Sequence, residues 1–266
     1  MNATNQNQVI KKEAHSLTTK DFFQKDGIKA KFQELLGKRS SQFITSVLQV
    51  TASNDLLKKA TPESIYGAAV TAAVLDLPIQ NNLGFAYIVP YGNQAQFQLG
   101  YKGLIQLSLR SGQFKNISVC EIYEGQIVSE NPLTGYVFDF TKKTSEKIIG
   151  YAAYFSLLNG FEKTEYMSKE KLEAHGKKFS QTYKKGFGVW KDDFDAMAKK
   201  TVLKLMLSKY APLSVEMQKA ITFDQSVTKD GETVEYVDNL ETIDISEQDK
   251  EQAGNKLTEG IFDDQK

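Results

Sequence analysis

Apolar residues recur at helical spacing through the first third of the chain. Ile28, Phe32, Leu35 and Leu36 form one such stripe, and Gly37 fits the residue that follows a helix end. A second stripe over Ser41–Ala52 carries Phe43, Ile44, Val47, Leu48 and Val50. The stretch TPESIYGAAVTAAVLDL predicts a third helix, with Thr61 as N-cap, Pro62 at its first position and Glu63 at the positive dipole end. After Pro78 the period shortens toward two. Phe85–Tyr91 and Gln94–Leu99 flank Gly92-Asn93 as a hairpin. A helix over Tyr101–Ser111 ends at Gly112, and Phe114–Tyr123 and Gly135–Phe140 read as strands. Lys147–Leu158 and Phe161–Met167 form a second hairpin around Asn159-Gly160. Ser168 caps a helix over Lys169–His175, a long helix runs from Asp192 to Tyr210 before Pro212, and Ser214–Ala220 adds a final turn or two. Strands grouped between helices, without βαβ alternation, predict an α+β fold: a mainly antiparallel sheet with hairpins packed against several helices.

The ends differ from this middle. Residues 1–24 are polar without a clear period and read as a flexible arm, 25–221 as the core, and 222–266 as an acidic, largely disordered tail. Charge sharpens the division. The chain is formally neutral, yet residues 221–266 hold thirteen acids against four lysines, and the first 220 residues hold 29 bases against 20 acids. A basic body predicts a polyanionic partner, and the tail fits competition for that surface or recruitment of a partner. No apolar run is long enough to span a membrane, and MNATNQNQVIKK has no apolar leader segment. One cysteine, Cys120, fits a reducing cytoplasmic compartment, and two distant histidines, His15 and His175, do not make a zinc site.

Candidate chemistry narrows by elimination. Gly37-Lys38 and Gly176-Lys177 lack the Ser/Thr and the preceding glycine of a P-loop, and Gly186-Phe187-Gly188 does not continue as a dinucleotide-binding loop. Nucleotide-driven chemistry is therefore disfavoured, and no catalytic residue is assigned. In FQLGYKGLIQLSLRSGQFK, Lys102, Gln106 and Arg110 share one polar helix face beside Tyr101. In YKKGFGVWK, Lys184, Lys185 and Lys191 interleave with Tyr183, Phe187 and Trp190, the mixture of charge and flat rings that suits single-stranded nucleic acid. Trp190 has two readings, core anchor or base stacker. Further along, Trp190, Phe194, Met197, Ala198, Thr201, Leu205 and Ser208 form one inward stripe, which leaves Lys199, Lys200 and Lys204 on a mixed face as a groove wall. Asp192, Asp193 and Asp195 read as first-turn caps, with a nuclease-like Mg²⁺ site as the alternative. His175 reads as a surface residue and Cys120 as core. The DNA-binding set is therefore Tyr101, Lys102, Gln106, Arg110, Tyr183, Lys185, Trp190, Lys191, Lys199, Lys200 and Lys204, with no metal ligand.

Two blocks, QFQLGYKGLIQLSLRSGQFKNISVCEIYEGQ and KKGFGVWKDDFDAMAKKTVLKLMLSKYAPLS, resemble the signature blocks of the RecT family of phage and prophage single-strand annealing proteins, relatives of the lambda Beta recombinase. The resemblance implies binding of single-stranded DNA and annealing of complementary strands without ATP or any required cofactor; Mg²⁺ is compatible but not demanded. It also implies homo-oligomeric rings or filaments, annealed duplex as a second ligand, and action with a phage exonuclease in the bacterial cytoplasm. The tail is then a contact for that exonuclease or for a host single-stranded DNA-binding protein. A passive single-stranded DNA-binding protein is the alternative.

Overall fold

A computed structural model describes residues 18–131, 133–186, 188–224, 226–229 and 233–236. The first helices are α1 (Thr19–Gln24), α2 (Asp26–Leu36), α3 (Ser40–Ala52) and α4 (Pro62–Val74). Aromatic rings join them: Phe23 stacks on Phe32 with centroids 5.9 Å apart, and Tyr66 of α4 meets Phe22, Phe23 and Phe32 edge-on. The core therefore begins inside the segment read as an arm. Phe22 and Phe23 lie only one position apart, too short a pattern to show a period. Thr18 caps α1 by accepting the Asp21 amide, and Thr61 caps α4 as its sequence predicts.

Strands β1 (Ala86–Tyr91) and β2 (Gln94–Leu99) form the first hairpin, turning through Gly92 at φ 59°. α5 (Tyr101–Arg110) follows directly. Its entry fixes two glycines. A Cβ on Gly100 would lie 2.1 Å from the Gly84 carbonyl oxygen, and one on Gly103 would lie 2.2 Å from that of Phe85. The N-terminal turn of α5 is thus seated on the backbone that leads into β1.

A three-stranded antiparallel sheet has β3 (Phe114–Tyr123), β6 (Ile148–Leu157) and β7 (Glu162–Ser168) in the order β3-β6-β7. Between β3 and β6 the chain makes a separate ribbon, β4 (Ile127–Asn131) with β5 (Gly135–Phe138). The sequence pattern shows β5 and misses β4, whose IVSEN residues are mostly exposed. Then come α6 (Lys169–Phe179), capped by Ser168, and the single turns α7 (Gln181–Lys184) and α8 (Val189–Asp192). α9 (Phe194–Tyr210), α10 (Val215–Phe223) and a ribbon of β8 (Ser226–Lys229) with β9 (Thr233–Tyr236) complete the described chain. The α+β class with antiparallel pairing throughout the described strands agrees with the sequence.

α9 is the central element. It packs on β3, β6 and β7 on one side and on α5 on the other. Nine of its seventeen residues are buried, including Lys200 and Lys204. The single inward stripe drawn from the sequence is therefore corrected: α9 is enclosed nearly all round, while Leu205 is half-buried and Ser208 is exposed. Among the described residues no helix is long and apolar enough to cross a membrane.

Candidate nucleic-acid interface

The first hairpin and α6–α9 enclose a cleft of about 720 Å³. Tyr87, Tyr91 and Tyr101 face it, together with Gln96 and Gln98 of β2, while α8 and the start of α9 contribute Trp190, Asp192 and Asp193. Gly188, at φ 91°, lets the chain turn sharply into α8; a Cβ there would also meet the Thr182 hydroxyl at 2.5 Å. The segments that form this side also carry Lys177, Lys178, Lys184, Lys185 and Lys191, all exposed and none of them lining the cleft itself. None has a carboxylate partner among the described residues. The cleft offers ring faces, amides and the carboxylates of Asp192 and Asp193, and the segments beside it carry the lysine charge.

Trp190 is resolved as a core anchor. It is 3% exposed and packs on Tyr183, His175 and Phe194. A Cβ on Gly176 would lie 2.9 Å from its ring. His175, read as a surface residue, is instead half-buried in this cluster, also against Phe179 at 4.7 Å. Tyr183 is half-buried on the Trp190 ring, which carries the loop rather than projecting from it. Lys185 and Lys191 next to it remain exposed.

The lysines of α9 separate into two environments. Lys200 and Lys204 form no open groove wall: both donate to Asp224, at 2.9 and 2.8 Å, and Asp224 is 2% exposed. The same carboxylate accepts the Leu99 amide at 2.8 Å. Burial pushes the Asp224 carboxyl up, but the two ammonium groups and the hydrogen bonds outweigh it and hold the group below the usual carboxylate range. Asp224 lies beyond the boundary drawn at 221, so the chain stays in the core at least that far. Lys199 is different. It pairs with Glu121 of β3, with side-chain exposures of 19% and 27%. Burial opposes its charge, while Glu121, Tyr101 and Asp195 raise its pKa.

The three aspartates also separate. Asp193 caps α9, accepting the Ala196 amide at 3.1 Å, so the helix begins at Phe194 rather than at Asp192. Asp195 accepts the hydroxyl of buried Tyr151, whose pKa rises through burial and this bond. Asp192 ends α8 and is exposed. Among the described residues no group of three or more His, Cys, Asp or Glu side chains is arranged to hold a metal ion.

On α5, Arg110 spans to the end of α4, donating to the carbonyls of Leu75 and Asp76 at 2.7 and 2.8 Å. It secures a helix C-terminus and does not point along a shared stripe with Lys102. Lys102 is exposed with its stem over Gly84, Gln106 is half-buried, and Tyr101 lines the cleft. Sequence reasoning missed Tyr87, Tyr91, Gln96 and Gln98. Their signal was the polar–aromatic alternation of the hairpin, which also describes an ordinary half-buried strand.

The family model described as RecT family matches residues 41–238, spanning both hairpins, α5 and α9. The chain belongs to the RecT family. Two relatives show how this member compares. A Bacillus subtilis (strain 168) protein named "Uncharacterized protein YqaK" is 47% identical over 260 residues, covering 94% of this chain and 90% of its own. "Protein RecT" of Escherichia coli (strain K12) is 30% identical over 172 residues, 61% of this chain and 62% of its own. The matched span of this RecT-family chain contains every residue that the sequence suggested for DNA binding.

Proposed function

We propose that the protein binds single-stranded DNA along the lysine-edged cleft and anneals complementary strands without nucleotide hydrolysis. Membership in the RecT family supports a role in recombination by strand annealing. The observation that carries the finer reading is a set of exposed, carboxylate-free lysines between Lys177 and Lys191, on the same segments that form one side of a cleft of rings and amides. Lysines on phosphate bind any sequence, because backbone contacts carry no base information. Tyr87, Tyr91 and Tyr101 supply faces for stacking and Gln98 an amide edge. Lys102 extends the charge along the N-terminal turn of α5. Base pairing then drives annealing downhill, and the protein lowers phosphate repulsion and arranges the strand. Oligomerisation joins successive clefts into one track, and the acidic tail is left for an exonuclease or a single-stranded DNA-binding partner.

Labelled complementary oligonucleotides test the proposal. Duplex forms faster with the protein than without it; slower duplex formation, with binding intact, supports the passive single-strand-binding reading instead. Lys185→Ala and Lys191→Ala each weaken binding similarly across sequences and reduce the salt slope by about 0.7. An unchanged slope removes that lysine from the phosphate track.

A further inference from the structure

Three of the lysines expected on phosphate are held by the protein's own carboxylates, but not equally. Lys200 and Lys204 close on Asp224, whose side chain is fully enclosed. Lys199 pairs with Glu121 where both side chains still reach solvent. That pair joins the C-terminal part of β3 to the second turn of α9, and the charge of Lys199 also responds to Tyr101, a cleft residue. Asp195, which also raises the Lys199 pKa, accepts the Tyr151 hydroxyl.

We infer that Glu121 is a built-in competitor for nucleic-acid phosphate: it holds Lys199 in place in the free protein and is exchanged for a phosphate oxygen when a strand enters. This rests on the DNA-binding reading above. The physical case is one of geometry and replaceability. A carboxylate and a phosphate present the same oxygen acceptors to an ammonium group, and a partly exposed pair is weak enough to open. Lys199 is then preorganised without a strand, since its stem is already fixed between β3 and α9. Glu121 also limits affinity, because its charge stays beside the incoming phosphate. For annealing this matters: a strand held too tightly is not released into duplex.

A like charge about 4 Å away in a water-like medium weakens binding by about fivefold. Glu121→Gln keeps the shape and an acceptor oxygen but removes the charge. The test measures binding of a fluorescent oligo-dT at low salt for four full-length proteins: wild type, Glu121→Gln, Lys199→Ala and the double variant. Glu121→Gln binds about fivefold tighter, and Lys199→Ala erases that gain, so the double variant binds no tighter than Lys199→Ala alone. Equal binding of Glu121→Gln and wild type overturns the inference. So does a fivefold gain that persists without Lys199, which marks a general field effect. Failure of the wild type to bind oligo-dT overturns the DNA-binding reading itself, a separate result. Matched thermal unfolding of the four proteins shows that all are folded.

Discussion

Asp224 binds three donors from two directions: the Leu99 amide of β2 and the ammonium groups of Lys200 and Lys204 on α9. Its carboxylate joins the hairpin, the central helix and the end of α10. Removing one member of such a group leaves buried charge uncompensated, and Asp224→Asn is expected to cost roughly 3–5 kcal/mol in urea unfolding near neutral pH. The pH dependence has a fixed sign. The folded pKa lies below the unfolded one, so the stabilisation is present above about pH 4 and is lost as pH falls through the folded value. The gap between wild type and Asp224→Asn therefore narrows in acid; a gap that widens below pH 4 contradicts the assignment. This residue also marks a limit of sequence reading. Lys200 and Lys204 stood out as charges on a buried helix, but their partner is twenty or more positions away, in a stretch whose composition reads as tail. Local patterns carry no signal for such a pair. Asp193 could be read correctly because a cap and the helix it caps are adjacent in sequence.

At the scale of elements, legibility followed the same rule. The first hairpin, α4 with its Thr61 cap and α6 with its Ser168 cap lie where turn and cap chemistry places them. α9 was located but its faces were misassigned, because a helix covered by a sheet on one side and α5 on the other has no preferred stripe. β4 and α1 were missed because each is short and takes its stability from neighbours. The most demanding junction, α5 against the entry to β1, turns on the pair Gly100 and Gly103. Gly103→Ala forces a methyl group onto the Phe85 carbonyl, with Leu99 2.9 Å away on another side. Neither backbone can yield cheaply, so a loss of about 1–3 kcal/mol is expected. Gly67→Ala is the contrast: Gly67 lies within α4 with nothing within 4 Å of an added Cβ. That change should stabilise the protein by about 0.5–1 kcal/mol. Thermal or urea unfolding of the two variants separates helix propensity from close approach. A stabilising Gly103→Ala is incompatible with the seating of α5 on the Phe85 backbone.

At the scale of the whole molecule, the neutral sum conceals two opposed fields. The first 220 residues carry nine more bases than acids, and the last 46 carry nine more acids than bases. Association with a polyanion responds to the full charge distribution, so the C-terminal carboxylates oppose DNA capture even without touching the cleft. Nine of them lie between 237 and 266. Replacing these nine by their amides leaves the chain length and the sequence of the described residues unchanged and removes nine charges. Binding of oligo-dT should then tighten at low salt, chiefly through a faster association rate, since steering acts on encounter more than on residence. Raising ionic strength tests the cause. The Debye length falls from about 10 Å at 0.1 M to about 3 Å at 1 M, so a long-range effect fades across that range. A gain that instead persists at 1 M salt, or that appears in the dissociation rate, points to direct occupation of the binding surface by the acidic segment. The same substitutions leave Glu121 and Lys199 untouched. If the two effects are independent, their gain multiplies with that of Glu121→Gln; a combined variant no tighter than either alone places both effects on one shared surface.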